Sequence, residues 1–148
     1  MSRLPVSLLT GFLIAAVVAL PAAASPQGDA INQLNQLRQA SGLPALQASE
    51  SLHRSSTKYA RRMIENDYFG HASRIAASSA FGRIGETLEL HPGWNPDPAQ
   101  TISAWMNSSG HRAVLMSSAY RWVGMGIARG KIGSRLVTVW VAHVGARR

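Results

Sequence analysis

The chain of 148 residues contains no cysteine. That absence removes thiol nucleophiles, thiolate metal centres, redox pairs and disulfides from consideration. Acidic residues are scarce as well: seven Asp and Glu stand against thirteen Arg and two Lys, for a net charge of +8. Charged residues make up only 15% and aromatics 7%, whereas 46% are hydrophobic. That balance excludes a disordered or fibrous chain, and the length points to one domain. No Gly-x-Ser-x-Gly elbow, His-Glu-x-x-His pair, phosphate-cradling glycine loop or aromatic RNA-binding motif occurs, so those established catalytic and binding signatures do not apply.

The N-terminus carries its own grammar. Arg3 precedes an apolar stretch from Val6 to Leu20, and Pro21-Ala-Ala-Ala-Ser25 then supplies small residues, with Ala22 and Ala24 spaced for a signal peptidase. Charged start, apolar core and small-residue site make a secretory signal. The apolar core is shorter than the ~20 residues that span a bilayer. Residues 1–24 are therefore expected to be a signal peptide cleaved before Ser25, and the protein to be secreted into an extracellular setting. No cysteine follows the cleavage point, so a lipoprotein anchor is excluded. Removing these 24 residues, with their one Arg, leaves 124 residues at net +7. A chain of that size buries roughly two-thirds of its unfolded surface and folds without staples.

Periodicity organises the remainder. Residues 25–30 read as a short polar lead-in, and Ile31, Leu34 and Leu37 recur at helical spacing until Gly42-Leu-Pro44 stops them. A second helix begins near Ser49, whose hydroxyl caps it, and Leu52, Ser56, Tyr59 and Met63 line one face. Lys58, Arg61, Arg62 and Glu65 fall off that face, as a solvated surface does. A loop is expected from about Asn66 to Arg83, followed by a short strand over Gly85–Leu90. Asp97-Pro98 reads as a cap and first position of a third helix, with Ile102, Trp105 and Met106 as its apolar stripe. A brief helix spans His111 to Met116. Two apolar strands, Trp122–Ala128 and Leu136–Val144, close the chain around a Gly130–Ser134 turn. Strands apolar at nearly every position sit inside a sheet covered on both faces, so helix layers on both sides of a sheet are expected.

Three residues are placed to do chemistry. His71 follows a helix end, Glu86 follows Gly85 at a strand start, and His111 follows Gly110 at a helix start; positions at element ends reach clefts more often than cores do. Two imidazoles and a carboxylate match a zinc ligand set with an open position. Taken singly, each His is more often a surface or hydrogen-bonded structural residue, and Glu86 is most simply an exposed acid. His53 is expected on a helix surface, His143 in a structural hydrogen bond, Tyr59 in the core, and Trp94, Trp122 and Trp140 in packing.

Four segments in order resemble the CAP superfamily of cysteine-rich secretory, antigen-five and pathogenesis-related proteins, in its bacterial secreted branch. They are Ile31 to Leu46, with its Asn…Arg…Gly-Leu-x-x-Leu run; Leu52 through Met63 to Asp67-Tyr-Phe-Gly-His71; Ile84-Gly-Glu-Thr-Leu88; and Trp105-Met-Asn-Ser-Ser-Gly-His-Arg-Ala-Val-Leu115, trailed by Val123-Gly-Met-Gly-Ile127. The resemblance covers nearly all of the chain after the signal, and residues 31–146 are taken as its single domain. It implies an α+β, three-layer α-β-α sandwich with a central, mostly antiparallel sheet and a cleft.

In many members of the family two His and two Glu line that cleft and can hold a divalent ion such as zinc. His71, Glu86 and His111 match three of them, and the fourth falls on Ser108. Gly-Glu-Thr stands where the family has Gly-Glu-Asn, with Thr87 able to hydrogen-bond nearby backbone. The resemblance implies no required cofactor, with Zn2+ or another divalent cation as an optional occupant, and a small apolar or lipid-like ligand for the cleft. Three functions compete: a monomeric non-catalytic binding module, a zinc-assisted hydrolase of peptide or cell-wall bonds with Glu86 as ligand or base, and a basic protein adhering to anionic cell-wall or membrane surfaces. No nucleic-acid partner is expected of an exported chain without a recognition motif.

Overall fold

A computed structural model describes residues 25–148; the signal-peptide expectation falls outside them. Helix α1 runs Pro26–Ala40, strand β1 Gln47–Ala48, helix α2 Glu50–Glu65, strand β2 Phe81–Pro92, helix α3 Pro98–Asn107, helix α4 Ser109–Leu115, strand β3 Trp122–Ile132 and strand β4 Arg135–Arg147. The predicted polar lead-in is in fact the first turn of α1. Ser25 caps it by accepting from the Gly28 amide, Pro26 occupies an early helical position, and Asp29 supplies the acid that complements the helix dipole. Ser49 and Asp97 cap α2 and α3 as their sequence positions predict. No described helix is long and apolar enough to cross a membrane.

The four strands form one sheet in the order β1-β3-β4-β2, antiparallel except for the parallel β1–β3 pair. Alternation along β4 assigns its two faces. Val137, Val139 and Val141 pack with Leu88, Tyr59, Ala60 and Met63 on the α2 side, while Trp140, Ala142 and Val144 join residues of α1, α3 and α4 on the other. The result is a three-layer sandwich with a core on each face of the sheet, as expected. Buried apolar side chains of this kind contribute about 1.5–3 kcal/mol each.

The elements are longer than the sequence pattern predicts. β2 starts at Phe81 rather than near Gly85, and β3 and β4 run to a tight turn at Gly133, where φ is +59°. Gly130, read as part of that turn, is a strand residue opposite Val137, with Ile64 of α2 seated where its side chain would be. β4 is covered on both faces, but β3 meets only the two-residue β1 on its outer side.

Close packing of α2 on the sheet rests on two glycines. A Cβ on Gly124 would lie 2.0 Å from the His53 backbone nitrogen, and one on Gly126 would lie 2.2 Å from that of Thr57. At the far end α2 closes in a Schellman motif: the Tyr68 amide donates to Met63 O and the Asp67 amide to Ile64 O. Asp67 takes the left-handed position with φ +53°, and its carboxylate accepts from the Gly133 amide at the β3–β4 turn. That contact fixes where the chain leaves α2, and so where His71 begins its approach to the sheet.

Candidate functional site

The site is built around Glu86. On β2 this residue lies opposite His143 of β4, on the sheet face that carries α2. Its Oε2 is 2.9 Å from His143 Nε2, and its Oε1 is 2.9 Å from His71 Nδ1 and accepts from the Ala72 amide at 3.0 Å. The Glu86 side chain is 5% exposed, His143 1%, and His71 61%. Burial pushes the Glu86 carboxyl upward, but the hydrogen bonds from His143, Ala72 and His71, with the His143 charge, outweigh it, and the net shift is below the usual carboxylate value. An ionised carboxylate only accepts, so the facing nitrogens, His143 Nε2 and His71 Nδ1, carry hydrogen. The remaining lone pair of a neutral His71 ring is then at Nε2, on a side chain open to solvent.

The chain of contacts continues inward. His143 Nδ1 is 2.6 Å from Ser55 Oγ on α2, which also donates to Leu52 O at 3.1 Å. Ser55, His143 and Glu86 thus form a Ser-His-acid series, but Ser55 is buried within the helix–sheet interface. A nucleophile needs access to substrate, and this residue is only 9% exposed, with its hydroxyl engaged by His143 and Leu52. Tyr59, predicted as core, is buried and also serves the site, because its hydroxyl donates to Gly70 O at 2.6 Å and anchors the loop just before His71. Burial, then the hydrogen bond with Tyr68, raises its phenol well above the ordinary value.

The structure brings His71 and Glu86 within hydrogen-bond distance of each other. It places the other two candidates differently. Ser108 caps α4, its Oγ accepting from the His111 amide at 3.5 Å. His111 lies in the first turn of α4 with a buried Nδ1 that has no hydrogen-bond partner. Among the described residues, no hydrogen bond joins His111 to the Glu86 network, and no group of three or more His, Cys, Asp or Glu side chains could hold a metal ion. With both Glu86 oxygens already engaged, the residues as arranged do not fit a three-ligand zinc centre.

Other sequence expectations divide. Thr87, expected to bond nearby backbone, has a buried hydroxyl with no partner. His53 is not a free surface residue: it is half-buried, and its Nδ1 donates to Met125 O at 2.7 Å. His143 makes the structural hydrogen bonds expected of it, but its pairing with Glu86 is new at this level. The available signal is a lone polar side chain, in phase with Val139 and Val141, within an apolar strand. Trp140 packs as expected, whereas Trp94 is 55% exposed with the Arg129 guanidinium 5.3 Å from its ring centre.

Two surface depressions lie away from His71, Glu86 and His143. One, of about 630 Å³, follows α2 and is lined by Glu50, His53, Arg54, Thr57, Lys58, Arg61, Arg62 and Glu65. The other, of about 400 Å³, lies between the start of α1, the β1–α2 turn and β3, with the buried Ile31, Val123 and Met125 behind its wall.

Comparison with known proteins places this geometry. Residues 31–144 match the model of CAP, the cysteine-rich secretory protein family. The uncharacterized protein YkwD of Bacillus subtilis is 32% identical over 98 residues, which is 62% of this chain and 38% of that protein. The chain therefore spans about two fifths of the length of that curated relative. Among solved structures, an outer surface protein from Borrelia burgdorferi superposes with a TM-score of 0.62 at 21% identity, covering 80% of this chain and 90% of that one. An extracellular protein containing a SCP domain from Bacillus anthracis gives 0.65 at 18% identity, covering 82% and 40%. These likenesses show a shared fold. With the match extending over nearly every described residue, the chain belongs to the cysteine-rich secretory protein (CAP) family.

Proposed function

We propose that this protein is an exported, extracellular binding module that holds a small apolar or lipid-like ligand beside His71, and that it is not a hydrolase. Export rests on the charged, apolar and small-residue order of residues 1–24. Two structural neighbours, one an outer surface protein and one an extracellular protein, support it. The observation that carries the binding reading is the state of Glu86. Both of its oxygens are held by His71, Ala72 and His143 in a side chain that is 5% exposed. A carboxylate so engaged would have to break buried hydrogen bonds to ligate zinc or to take a proton from water. Its hydrogen bond orients the His71 ring instead, leaving Nε2 outward as a polar anchor. Phe69, two residues earlier in the same loop, is an exposed apolar side chain. A loop that carries an outward imidazole and an exposed aromatic side chain suits a ligand with an apolar body and one polar end.

A divalent ion would find a weak hold here, at one imidazole nitrogen. Zinc titration by calorimetry, on the protein lacking residues 1–24 and on its His71→Ala/His111→Ala variant, tests this. The expected result is no binding tighter than the millimolar range in either protein, with a lipid recovered from the wild type after incubation in a lipid extract. Micromolar zinc affinity lost in the double variant would overturn the binding reading in favour of a metal-dependent activity.

A further inference from the structure

We propose that the outer face of α2 is a docking groove for a linear phosphodiester polymer, independent of what fills the site at His71. The buried face of the helix is made by Leu52, Ser55, Ser56, Tyr59, Ala60 and Met63. The opposite face presents Arg54, Lys58, Arg61 and Arg62, all exposed, along the depression of about 630 Å³. Arg54 pairs with Glu50 at 3.5 Å. Among the described residues, Lys58, Arg61 and Arg62 have no ion-pair partner.

The spacing makes this more than a solvated surface. Arg54 with Lys58, and Lys58 with Arg61 and Arg62, are like charges three or four residues apart. Each such pair destabilises a helix by a few tenths of a kcal/mol. An anion bound across them turns that repulsion into attraction. From Arg54 to Arg62 the helix rises about 12 Å, so a compact anion reaches only part of the row while a chain of regularly spaced charges reaches all of it. The partner is therefore extended and polyanionic.

The groove also discriminates among polyanions. Its lining holds no Phe, Tyr, Trp or large aliphatic side chain, and its single imidazole, His53, is tied to Met125 O. A membrane-docking face buries Trp, Phe or Leu below the headgroups, and a single-stranded nucleic acid groove stacks bases on aromatic rings. Neither device is present along α2. A polyol phosphate chain, with charge at each repeat and no base or acyl tail, needs only the cations.

The test is binding of poly(glycerol phosphate) to the protein lacking residues 1–24, measured at 50 and 200 mM salt. Counterion release at three unpaired cations lowers affinity by about 20–40-fold over that range. The variant Lys58→Gln/Arg61→Gln/Arg62→Gln is expected to bind weakly, with almost no salt dependence left, because the cation remaining in the groove, Arg54, is paired with Glu50. The control Arg112→Gln/Arg121→Gln/Arg129→Gln removes three charges outside the groove and should keep the wild-type affinity and salt slope. Equal loss in both variants would mean that net charge alone drives binding and would overturn the proposal. So would equal or tighter binding to phosphatidylglycerol-containing vesicles or to a single-stranded oligonucleotide at the same salt.

Discussion

Glu86 and His143, 57 residues apart in sequence, face each other across β2 and β4 with Oε2 and Nε2 at 2.9 Å. The pair is almost wholly buried, and it is the inner end of the contact that orients His71.

The Glu86 carboxyl lies below its ordinary value in the folded protein. A depressed carboxyl adds stability above its unfolded value of about 4.3 and loses it as pH falls through the folded one. Wild-type stability is expected to decline below about pH 4.3 more steeply than that of Glu86→Gln. At pH 7 the variant should be about 2 kcal/mol less stable, from weakened hydrogen bonds to a charged group. Urea unfolding from pH 7 to pH 3 checks both, and parallel curves for the two proteins would count against a charged Glu86.

Among the described residues, Ser55 supplies the side chain that satisfies His143 Nδ1. Ser55→Ala leaves that buried nitrogen unpaired, at an expected cost of about 1–3 kcal/mol. Because its hydroxyl is enclosed, ligand affinity at His71 should change little. A large loss of affinity with unchanged stability would mean that Ser55 contacts the ligand.

Arg38 is a fully buried cation, and among the described residues no carboxylate pairs with it. Its guanidinium donates to Pro44 O at 3.0 Å, Leu115 O at 2.6 Å, Ser117 O at 3.1 Å and Tyr120 O at 3.5 Å. It thereby ties α1 to the carboxyl end of α4, where a positive charge is favoured. Burial, then the nearby Arg121 charge, lowers its pKa. Lysine cannot reproduce a planar fork with several fixed donors, so Arg38→Lys is expected to cost about 3 kcal/mol or more, with carbonyls left unpaired. A thermal midpoint indistinguishable from that of wild type would contradict this.

Gly124→Ala and Gly126→Ala each set a methyl against the α2 backbone. Backbone cannot step aside as a flexible side chain does, so each should destabilise by about 3 kcal/mol through overpacking. Gly110, in α4, has nothing within 4 Å of its added Cβ. Gly110→Ala should be neutral or gain up to about 1 kcal/mol from helix propensity. Comparing the three denaturant midpoints separates the steric cost from any general effect of alanine.

Much of this is legible locally. Ser49 and Asp97 announce their helices because a capping hydroxyl or carboxylate meets amides within three residues. Leu52, Ser56, Tyr59 and Met63 are buried together as helical spacing requires. Ser25 and Pro26 carry the same kind of signal for the start of α1, which the polar composition of the segment obscures. The short β1 leaves no trace, since two exposed residues make no period. The Asn35 side chain, which both donates to Leu46 O and accepts from the Leu46 amide, gives no sign in the pattern that it reaches across the turn to hold that segment.

The sequence by itself determined the helices and the apolar strands, because those follow from spacings within a few turns of chain, and its four ordered segments carried the family resemblance that singled out His71 and Glu86. Only the tertiary structure decided that Glu86 answers to His143 and Ser55, that His111 stands outside that network, and that α2 rides on two glycines. These are matters of register and layer spacing. A one-residue slip of β2 against β4 would turn Glu86 to the opposite face of the sheet, and nothing within β2 alone specifies against which residue it must stop.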